Sequence, residues 1–379
     1  TMTFHRYYCD LKSRVAPFRT AEDFETIKTV ASIDALADRA DVIHRGNVPG
    51  WRFDRPEGLD EENLMRRAFL HLEALERGEF PLRGKFTEPG ISLADHTFVV
   101  EVDRVHLFYN RGRIGYDWPE RMADTLGHAV STDLIHWEIR RPCLSVQKGG
   151  PDSYSVWSPS LLLDKGRYFM YYTGVNFEIA QTICMATSTD LQSWERWPDN
   201  PVFVPGTWFD WREDRWSDCR DPMVFLDDDG QYYLYVCTRW KDEAGQLHAA
   251  IGVASSRDRI HWEEAGIIRL PGCTECAESP FVMKRQGRYY LFYTNCGKGS
   301  AYAVSDNPIS GWREKGLLLG AEDHSGDNAH VPSCSEVFAF RGKWYFSFCE
   351  RLPGNEQYLE LKELFWEEDG SVRLGTAVD

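Results

Sequence analysis

One eight-residue pattern recurs at near-regular intervals through most of this 379-residue chain, and it limits the folds that the chain can adopt. The pattern reads STDLIHWE at 131–138, STDLQSWE at 188–195 and SRDRIHWE at 256–263, with a looser copy, SDNPISGWRE, at 305–314. Repetition at a fixed period is typical of proteins built from several copies of one structural unit. We therefore expect an array of similar units.

A second pattern, rich in aromatic residues, has five copies at matching intervals. Four of them are DKGRYFMYYT, DDGQYYLYVC, RQGRYYLFYT and FRGKWYFSFC, and the first copy, EVDRVHLFYN, is degenerate. Each copy contains a Gly or Asp turn between an apolar strand and an aromatic strand, which is a hairpin signal. The spacings are 63, 64, 57 and 55 residues when these positions are taken as equivalent: Val105, Tyr168, Tyr232, Tyr289 and Trp344.

Five units of about 60 residues, each with several short strands, predict an all-β fold, namely a five-bladed β-propeller with four strands per blade. Two stacked β-sandwiches are the alternative, and the near-constant spacing favours the propeller. We assign residues 91–379 to the propeller. Residues 1–90 lack the repeat, and two segments, TAEDFETIKTVASIDALADRA and DEENLMRRAFLHLEALERGEF, have helical patterns. We predict a partly helical N-terminal extension that packs on the propeller and is a candidate for capping one mouth or for homo-oligomerisation.

The bulk composition argues against several classes of function. A net charge of −16 argues against nucleic acid binding, which requires a basic surface. No apolar run approaches the roughly 18 to 20 residues that a membrane-spanning helix needs. The first residues, TMTFHRYYCDLKSR, lack the apolar stretch of a secretory leader. We expect neither a nucleic acid nor a membrane partner, and a cytoplasmic location unless a leader has been removed.

The ten cysteines are too few for a disulfide scaffold, and several lie inside predicted strands, where we expect small buried apolar side chains. Cys273 and Cys276 have a C-x-x-C spacing, but no second pair completes a zinc site. We therefore assign no metal ligands and expect no required cofactor. The 14 Trp, 17 Tyr and 21 Phe residues favour strands, and aromatic rings also form the faces on which sugars stack.

Carboxylates recur where the first strand of each unit begins. The five strand starts read ADHTFVV, WSPSLLL, RDPMVF, ESPFVM and PSCSEVF. Because the first strand of each blade lines the central channel of a propeller, these starts are expected to converge at one mouth. Counting back ten or eleven residues from the aromatic strands gives one repeat position occupied by Asp95, Ser158, Asp221, Glu278 and, in the fifth unit, Ser333 or Cys334.

One aspartate before a proline at a strand start is often a turn residue. Three carboxylates at one repeat position instead predict a shared site, because like charges held close together push their pKa values apart, as acid/base chemistry requires. Glycoside hydrolysis uses one protonated carboxyl as the acid and one ionised carboxylate as nucleophile or base. We therefore predict Asp95, Asp221 and Glu278 as catalytic residues.

At these strand starts the chain resembles the five-bladed β-propeller glycoside hydrolases of families 43, 32 and 68, over about residues 91–365. Asp95 in ADHTFVV is similar to the family 43 base that opens the first blade. The segment VWSPSLLL is similar to the W-A-P element of the second blade, which implies substrate contacts for Trp157 and Ser158. The resemblance implies that Glu278 is the acid and that Asp221 modulates the pKa of that acid and binds a sugar hydroxyl.

The R-D-P sequence at 220–222 resembles a hallmark of families 32 and 68, where the arginine and the aspartate bind fructosyl hydroxyls. A substrate-binding role for Arg220 is therefore implied. The family 32 acid lies in an E-C sequence, which Glu275–Cys276 matches literally. We prefer Glu278, because its spacing and the following Pro280 fit the repeat. A histidine opens the last blade of many family 43 members, so the similar His330 is implied to contact substrate and to lie near a central water or a structural calcium ion.

Aromatic residues cluster in the loop WFDWREDRW, residues 208–216, just before the strand of Asp221. We expect at least two of its four aromatic side chains to pack between blades, and we predict Trp208 and Trp211 as a sugar-stacking wall. The loop RGRIGYDWPERM, 111–122, is a further subsite candidate. The tryptophans of the eight-residue pattern recur once per unit and are assigned to packing: Trp137, Trp194, Trp262 and Trp312.

The sequence thus predicts a glycosidase that removes a terminal furanosyl or pentosyl residue, as in a fructofuranoside, arabinofuranoside or xyloside, from short oligosaccharides. A non-catalytic sugar-binding propeller is the alternative from another class. Transglycosylation or phosphorolysis on the same scaffold is the enzymatic alternative, although phosphorolysis would need a basic cluster beyond Arg220. A carboxyl separation of about 5–5.5 Å between Asp95 and Glu278 would imply retention of configuration, and about 6.5–9.5 Å inversion.

Overall fold

The computed structural model of the chain describes residues 85–86, 91–113, 123, 125–320, 331–352 and 356–378. These residues form twenty-two strands in five antiparallel sheets and contain no helix. Consecutive strands pair within every sheet, as in a meander, so each sheet is one blade. The predicted all-β, five-bladed propeller is confirmed over these residues.

The strands run from the axis outward in each blade. Blade 1 contains β2 (Ile91–Val100), β3 (Val105–Arg113), β4 (Thr125–Ser131), β5 (Glu138–Ile139) and β6 (Leu144–Ser145). Blade 2 contains β7 (Ser155–Asp164), β8 (Arg167–Val175), β9 (Gln181–Ser188) and β10 (Glu195–Arg196). Blade 3 contains β11 (Arg220–Leu226), β12 (Tyr232–Lys241), β13 (Leu247–Ser256) and β14 (Glu263–Arg269). Blade 4 contains β15 (Ala277–Arg285), β16 (Arg288–Asn295), β17 (Gly299–Ser305) and β18 (Arg313–Gly320). Blade 5 contains β19 (Ser333–Phe340), β20 (Lys343–Leu352), β21 (Glu356–Trp366), β22 (Val372–Ala377) and the early strand β1 (Lys85–Phe86).

The ring of blades is closed by a strand from outside the repeat region. The innermost strands β2, β7, β11, β15 and β19 contact one another in that order, and β19 contacts β2. The strand β1 pairs with β21 of blade 5. Phe86 on β1 is 3% exposed, and its ring centroid lies 5.0 Å from that of Tyr109 in blade 1. Residues just before blade 1 therefore complete blade 5.

The hydrophobic core lies between the blades. Among the described residues, the five larger clusters of buried side chains each join residues of two neighbouring blades around the ring. This follows from the sequence, because strands that are covered by a neighbour on both faces carry aromatic and β-branched residues in unbroken runs. The predicted packing role of the recurring tryptophans is confirmed, since each packs against one cluster: Trp137, Trp194, Trp262 and Trp312.

The eight-residue pattern forms a tight turn after the third strand of a blade. Ser131 Oγ accepts a hydrogen bond of 2.8 Å from the backbone N–H of Leu134. Asp133 Oδ1 accepts bonds of 2.9 and 2.8 Å from the N–H groups of Ile135 and His136. The copies at Ser188 and Ser256 make the same bonds, and Asn307 replaces the aspartate in blade 4. These side chains satisfy backbone donors that the turn would otherwise leave unpaired.

The predicted helical extension, residues 1–90, lies outside the described residues except for Lys85–Phe86, which form a propeller strand rather than a helix. The remainder of that extension, with its proposed capping or oligomerisation role, stays a prediction. Among the described residues, no helix is long and apolar enough to cross a membrane.

The cysteines differ in part from expectation. Cys276 and Cys296 form a disulfide that joins the start of β15 to the end of β16. The other cysteines within the described ranges are free, and most of them are buried as expected. Cys273, the other half of the C-x-x-C sequence, donates to the carbonyl oxygen of Cys276 at 2.7 Å.

Candidate active site

A β-bulge interrupts every innermost strand near its start, at the mouth of the channel. In each bulge, two residues of the inner strand lie opposite a single residue of the second strand: 94–95, 158–159, 221–222, 279–280 and 334–335. The first bulge residue has a left-handed backbone in four blades, with φ of 50° at Ser158, 57° at Asp221, 50° at Ser279 and 57° at Cys334. Such values are uncommon outside glycine and concentrate at functional sites. These four residues and Asp95 line one axial cavity.

The register corrects one predicted equivalence. Ser158, Asp221, Ser279 and Cys334 occupy the same position, the first residue of the bulge, whereas Asp95 is the second residue of the blade 1 bulge. The expectation that Glu278 shares it is wrong by one residue. The first hairpin of blade 3 is one residue longer than that of blade 4. The count back from the aromatic strand that reaches Asp221 in blade 3 therefore reaches Glu278 in blade 4, one residue before the bulge. Glu278 instead lies just before the bulge, as do Arg220 and Trp157 in their own blades.

Asp221 is the most enclosed of the three carboxylates, at 5% exposure. Its Oδ1 accepts a hydrogen bond of 2.7 Å from Ser158 Oγ, and its Oδ2 accepts one of 3.0 Å from the N–H of Ser279. Burial raises its pKa to about 8; the charge of Asp95 adds to this rise and Arg220 opposes it. At neutral pH the Asp221 carboxyl therefore holds a proton and can donate a hydrogen bond as well as accept one.

Asp95 is half-buried and is joined to Asp221 through one serine. Ser279 Oγ donates to Asp95 Oδ1, while the Ser279 N–H donates to Asp221. Asn110 Nδ2 lies 3.4 Å from the other oxygen of Asp95, and Asn110 Oδ1 accepts from the N–H of Ser158 at 2.6 Å. Blades 1, 2, 3 and 4 are thus connected through hydrogen bonds to these two aspartates.

Arg220 connects the third carboxylate to the site. Its Nη2 donates to Glu278 Oε1 at 2.7 Å, and its Nη1 donates to Asp218. Its Nε lies 3.9 Å from Asp221 Oδ2. The Glu278 side chain is 35% exposed and its partner Arg220 is buried; Glu278 itself is not among the residues that line the cavity. Asp218 also accepts a 3.0 Å bond from Arg239 Nε, so one carboxylate binds both Arg220 and Arg239.

Both tryptophans of the predicted aromatic wall, Trp208 and Trp211, pack against the core between blades 2 and 3. Trp208 is 8% exposed and packs in the core between blades 2 and 3, so the structure does not support its predicted contact with a sugar. Trp211 packs against the same core, and its Nε1 donates to the Gln181 carbonyl at 2.8 Å. The exposed tryptophan of this loop is Trp216, at 43%. Its Nε1 donates to Asp218 at 3.1 Å, and its ring centroid is 6.0 Å from Arg220 Cζ.

The other predicted site residues divide into three groups. Ser158 lies in the site, and Trp157 is buried beside it against Val175. His330, and with it the expected calcium position, lies outside the described residues. Glu275 is exposed in the loop before β15 and does not line the cavity. Within the described ranges, one group has the spacing of metal ligands, namely Cys276, Glu278 and Cys296, and its two sulfur atoms are joined in the disulfide.

Sequence reasoning missed the residues that hold the bulges in place. Thr173 Oγ1 accepts the N–H of Asp221 at 2.9 Å, and Thr294 Oγ1 accepts that of Cys334 at 2.8 Å, just as Asn110 accepts that of Ser158. Each acceptor binds the bulge of the next blade. The signal was present in the sequence, because the last residue of each aromatic copy is the position concerned: Asn110, Thr173, Cys237, Thr294 and Cys349.

The fold and the site together define a class of protein. A five-bladed propeller with three carboxylates and a buried arginine at one mouth has the architecture of the β-propeller glycoside hydrolases. Residues 96–284 match the family described as the glycosyl hydrolases family 32 N-terminal domain. The predicted resemblance to this group of enzymes is thereby confirmed.

Two known proteins are similar to parts of this chain. The chain is 38% identical over 106 residues to acid beta-fructofuranosidase 1, vacuolar, from a Rosa hybrid cultivar, which covers 26% of this chain and 17% of that protein. It is 30% identical over 156 residues to a sucrose:sucrose 1-fructosyltransferase of Festuca arundinacea, covering 36% of this chain and 23% of that protein. The chain therefore matches less than a quarter of the length of these relatives.

The solved structures support the fold. A thermostable family-43 glycoside hydrolase superposes with a TM-score of 0.60 at 18% identity, covering 78% of this chain and 97% of that one. At this identity the likeness concerns the propeller and carries no statement about substrate.

Proposed function

We propose that this protein is a glycoside hydrolase that removes a terminal furanosyl or pentosyl residue from short oligosaccharides, with a fructofuranoside as the first candidate. The observation that carries the proposal is the convergence of Asp95 and Asp221 on one cavity, with Glu278 held beside them by Arg220. The preference for a fructosyl group rests on the R-D-P sequence at 220–222, inside the segment that matches family 32, and on relatives named as beta-fructofuranosidases.

In this proposal the three carboxyls have different tasks. Glu278 donates a proton to the oxygen of the leaving group. It acts through Oε2, because Arg220 holds Oε1. Asp95 acts as nucleophile or as the base that activates water, and its orientation is fixed by Ser279 and Asn110. The proton on Asp221 allows this carboxyl to donate to a sugar hydroxyl while Arg220 binds a second one.

The test is hydrolysis by the full chain of sucrose, an aryl arabinofuranoside and an aryl xyloside, followed by substitution. We expect Glu278→Gln and Asp95→Asn each to lower kcat by about 10²–10⁴-fold on the substrate that is cleaved. Glu275→Gln is the matched control, because this glutamate is exposed and is not among the partners of Arg220, and it should retain activity. Near-normal turnover by Glu278→Gln, together with a loss in Glu275→Gln, would move the acid to Glu275.

The other functions are separate outcomes of the same experiment. Calorimetric binding of a sugar without any turnover would indicate the sugar-binding propeller instead of an enzyme. Trisaccharide formation at high sucrose would indicate fructosyl transfer, the activity named for the Festuca relative. The anomer released first, observed by NMR, distinguishes retention from inversion.

We propose an oxidising compartment for this protein in place of the predicted cytoplasmic location. The disulfide between Cys276 and Cys296 supports this, since such bonds persist in oxidising environments. The name of the Rosa relative includes a vacuolar location. The structural calcium near His330 also remains a proposal, and no step above depends on it.

A further inference from the structure

The buried carboxylate Asp218 binds three side chains just before the first strand of blade 3. Its Oδ1 accepts from Arg220 Nη1 and, at 3.1 Å, from Trp216 Nε1. Its Oδ2 accepts from Arg239 Nε at 3.0 Å. Burial opposes ionisation, but the charges of the two arginines lower the pKa of Asp218. Because Arg220 also binds Glu278, Asp218 connects the proposed acid to Trp216 and Arg239, which the proposed mechanism does not use.

Trp216 and Arg239 are the solvent-facing members of this group. Trp216 is 43% exposed, and its ring centroid lies 6.0 Å from Cζ of the buried Arg220. Arg239 lies on β12, two residues beyond Cys237, which pairs with Arg220. Its side chain is 30% exposed, and among the described residues only its Nε donates to a protein atom. The two terminal amino groups of Arg239 are therefore available as donors to a ligand.

This pair of side chains suits a neutral sugar. An indole ring offers an apolar face to the C–H groups of a pyranose, and guanidinium N–H groups donate to its hydroxyls. The charge of Asp218 offsets part of the charge of the two arginines, so an uncharged, hydroxylated ring fits this surface better than an anion does. Both side chains are oriented by the same buried carboxylate before any ligand binds, which lowers the entropic cost of binding.

We propose that Trp216 and Arg239 bind the leaving group, a second sugar unit in its pyranose form, while the axial cavity holds the glycosyl group that is released. This inference rests on the proposed hydrolysis, in which Glu278 protonates the leaving oxygen and therefore faces the leaving group. Arg220 binds Glu278 through Nη2 and Asp218 through Nη1, so one guanidinium joins the acid to this surface. Trp216 and Arg239 thus determine a preference for oligosaccharides over glycosides of simple alcohols.

The test compares two substrates that share a glycosyl group and differ in the leaving group. They are sucrose and methyl β-fructofuranoside, or the matching disaccharide and methyl glycoside of whichever group the full wild-type chain cleaves. We expect Trp216→Ala and Arg239→Gln each to raise KM for the disaccharide by about tenfold, with a smaller effect on kcat. The kcat/KM for the methyl glycoside, which has no second sugar, should be unchanged. Trp216→Phe retains an aromatic face and should recover most of the lost affinity.

Arg215→Gln is the matched control, because this exposed arginine is next to Trp216 in the chain and pairs with Asp210. It should change the kinetics of neither substrate. An equal loss on both substrates in Trp216→Ala and Arg239→Gln would mean that these residues act only through the catalytic groups, which overturns the proposal. Unchanged KM values for the disaccharide in both variants would overturn it as well.

A binding measurement separates this proposal from the proposed hydrolysis. Saturation-transfer NMR detects binding of free glucose, the leaving sugar of sucrose, to the full chain without turnover. We expect a signal with wild type that is retained in Arg215→Gln and lost in Trp216→Ala. If no glycoside is cleaved, the proposed hydrolysis fails and the glucose measurement alone decides on the sugar site. No signal with wild type, or the same signal with Trp216→Ala, would then overturn it.

Discussion

At the scale of single residues, Asp221 shows how burial decides the charge of a carboxyl. It is next to Arg220, yet the guanidinium is shared with Asp218 and Glu278 and lies 3.9 Å from the Asp221 carboxyl. Burial and the charge of Asp95 therefore exceed the effect of the arginine, and the pKa rises to about 8. A neutral carboxyl at neutral pH is a consequence of this geometry.

This raised pKa predicts a pH dependence of stability. The folded chain retains a proton on Asp221 that the unfolded chain releases above a pH of about 4. The contribution of this group to stability is therefore complete below that pH and is lost as the pH rises toward about 8. Urea unfolding at pH 5, 6, 7 and 8 provides the measurement. The free energy of unfolding of Asp221→Asn, relative to that of wild type, should increase with each rise in pH.

Glu336 provides the internal comparison. Desolvation raises the pKa of Glu336 to about 7, so this group also lowers stability as the pH rises. The effect is the same in wild type and in Asp221→Asn and cancels from the difference between their free energies of unfolding. Parallel stability curves for wild type and Asp221→Asn would show that Asp221 is ionised in the folded protein. The proposed proton donation from Asp221 to a sugar would then be wrong.

The residues of the site could largely be predicted from the sequence, whereas their exact positions along the inner strands could not. The strand starts indicated Asp95, Asp221, Glu278 and Arg220, because apolar strands headed by charged residues are easily recognised. The one-residue offset of Glu278 depends on hairpin length and on a bulge, and neither leaves a periodic signal. The contrast between buried Trp208 and exposed Trp216 depends on the tertiary path of an irregular loop.

At the scale of elements, the turn after the third strand is a unit that the chain reuses. A serine and an aspartate bind four backbone N–H groups, and the residue after the aspartate adopts a left-handed backbone, as at Leu134 with φ of 68°. The loose fourth copy retains the bonds through Asn307. Side-chain acceptors, and not the aspartate charge alone, are therefore the common requirement.

This comparison predicts different effects for two substitutions at one residue. Asp133→Ala should lower the free energy of unfolding by about 1 kcal/mol, because two N–H groups lose their acceptor. Asp133→Asn should cost clearly less, since asparagine performs this role in blade 4. Chemical denaturation of the two variants and of wild type provides the measurement. Equal losses for alanine and asparagine would indicate that charge, including the pair with His136, provides the stability.

At the scale of the whole molecule, a short strand connects the two ends of the ring. The pairing of β1 with β21 completes blade 5, and Phe86 packs on Tyr109 and Trp137 of blade 1. The repeat predicted the number of blades and their order. It could not predict this closure, because Lys85–Phe86 lies before the first copy and has no repeat of its own to compare with.

Closure by β1 predicts a large effect for one aromatic side chain outside the repeats. Phe86→Ala should lower the free energy of unfolding by about 3–5 kcal/mol, since it removes a buried ring at the junction of blades 1 and 5. The matched control is Phe177→Ala, whose side chain is 69% exposed and which should change stability by less than about 0.5 kcal/mol. If both variants unfold at the same urea concentration, β1 does not contribute to the closed ring.

The repeated bulge has a consequence for how such a protein can change. The first bulge residue has nearly the same φ in four blades. In three of these blades its N–H group donates to a side chain that the preceding blade supplies for this purpose, whatever side chain the bulge residue carries. The side chains are a hydroxyl, a carboxylate, a hydroxyl and a thiol. The main chain therefore sets the shape of the bulge, and the side chain sets its chemistry. A single mutation at a bulge can introduce a new reactive group beside the axis without changing the main-chain conformation. Redesign of this mouth is best approached one bulge at a time.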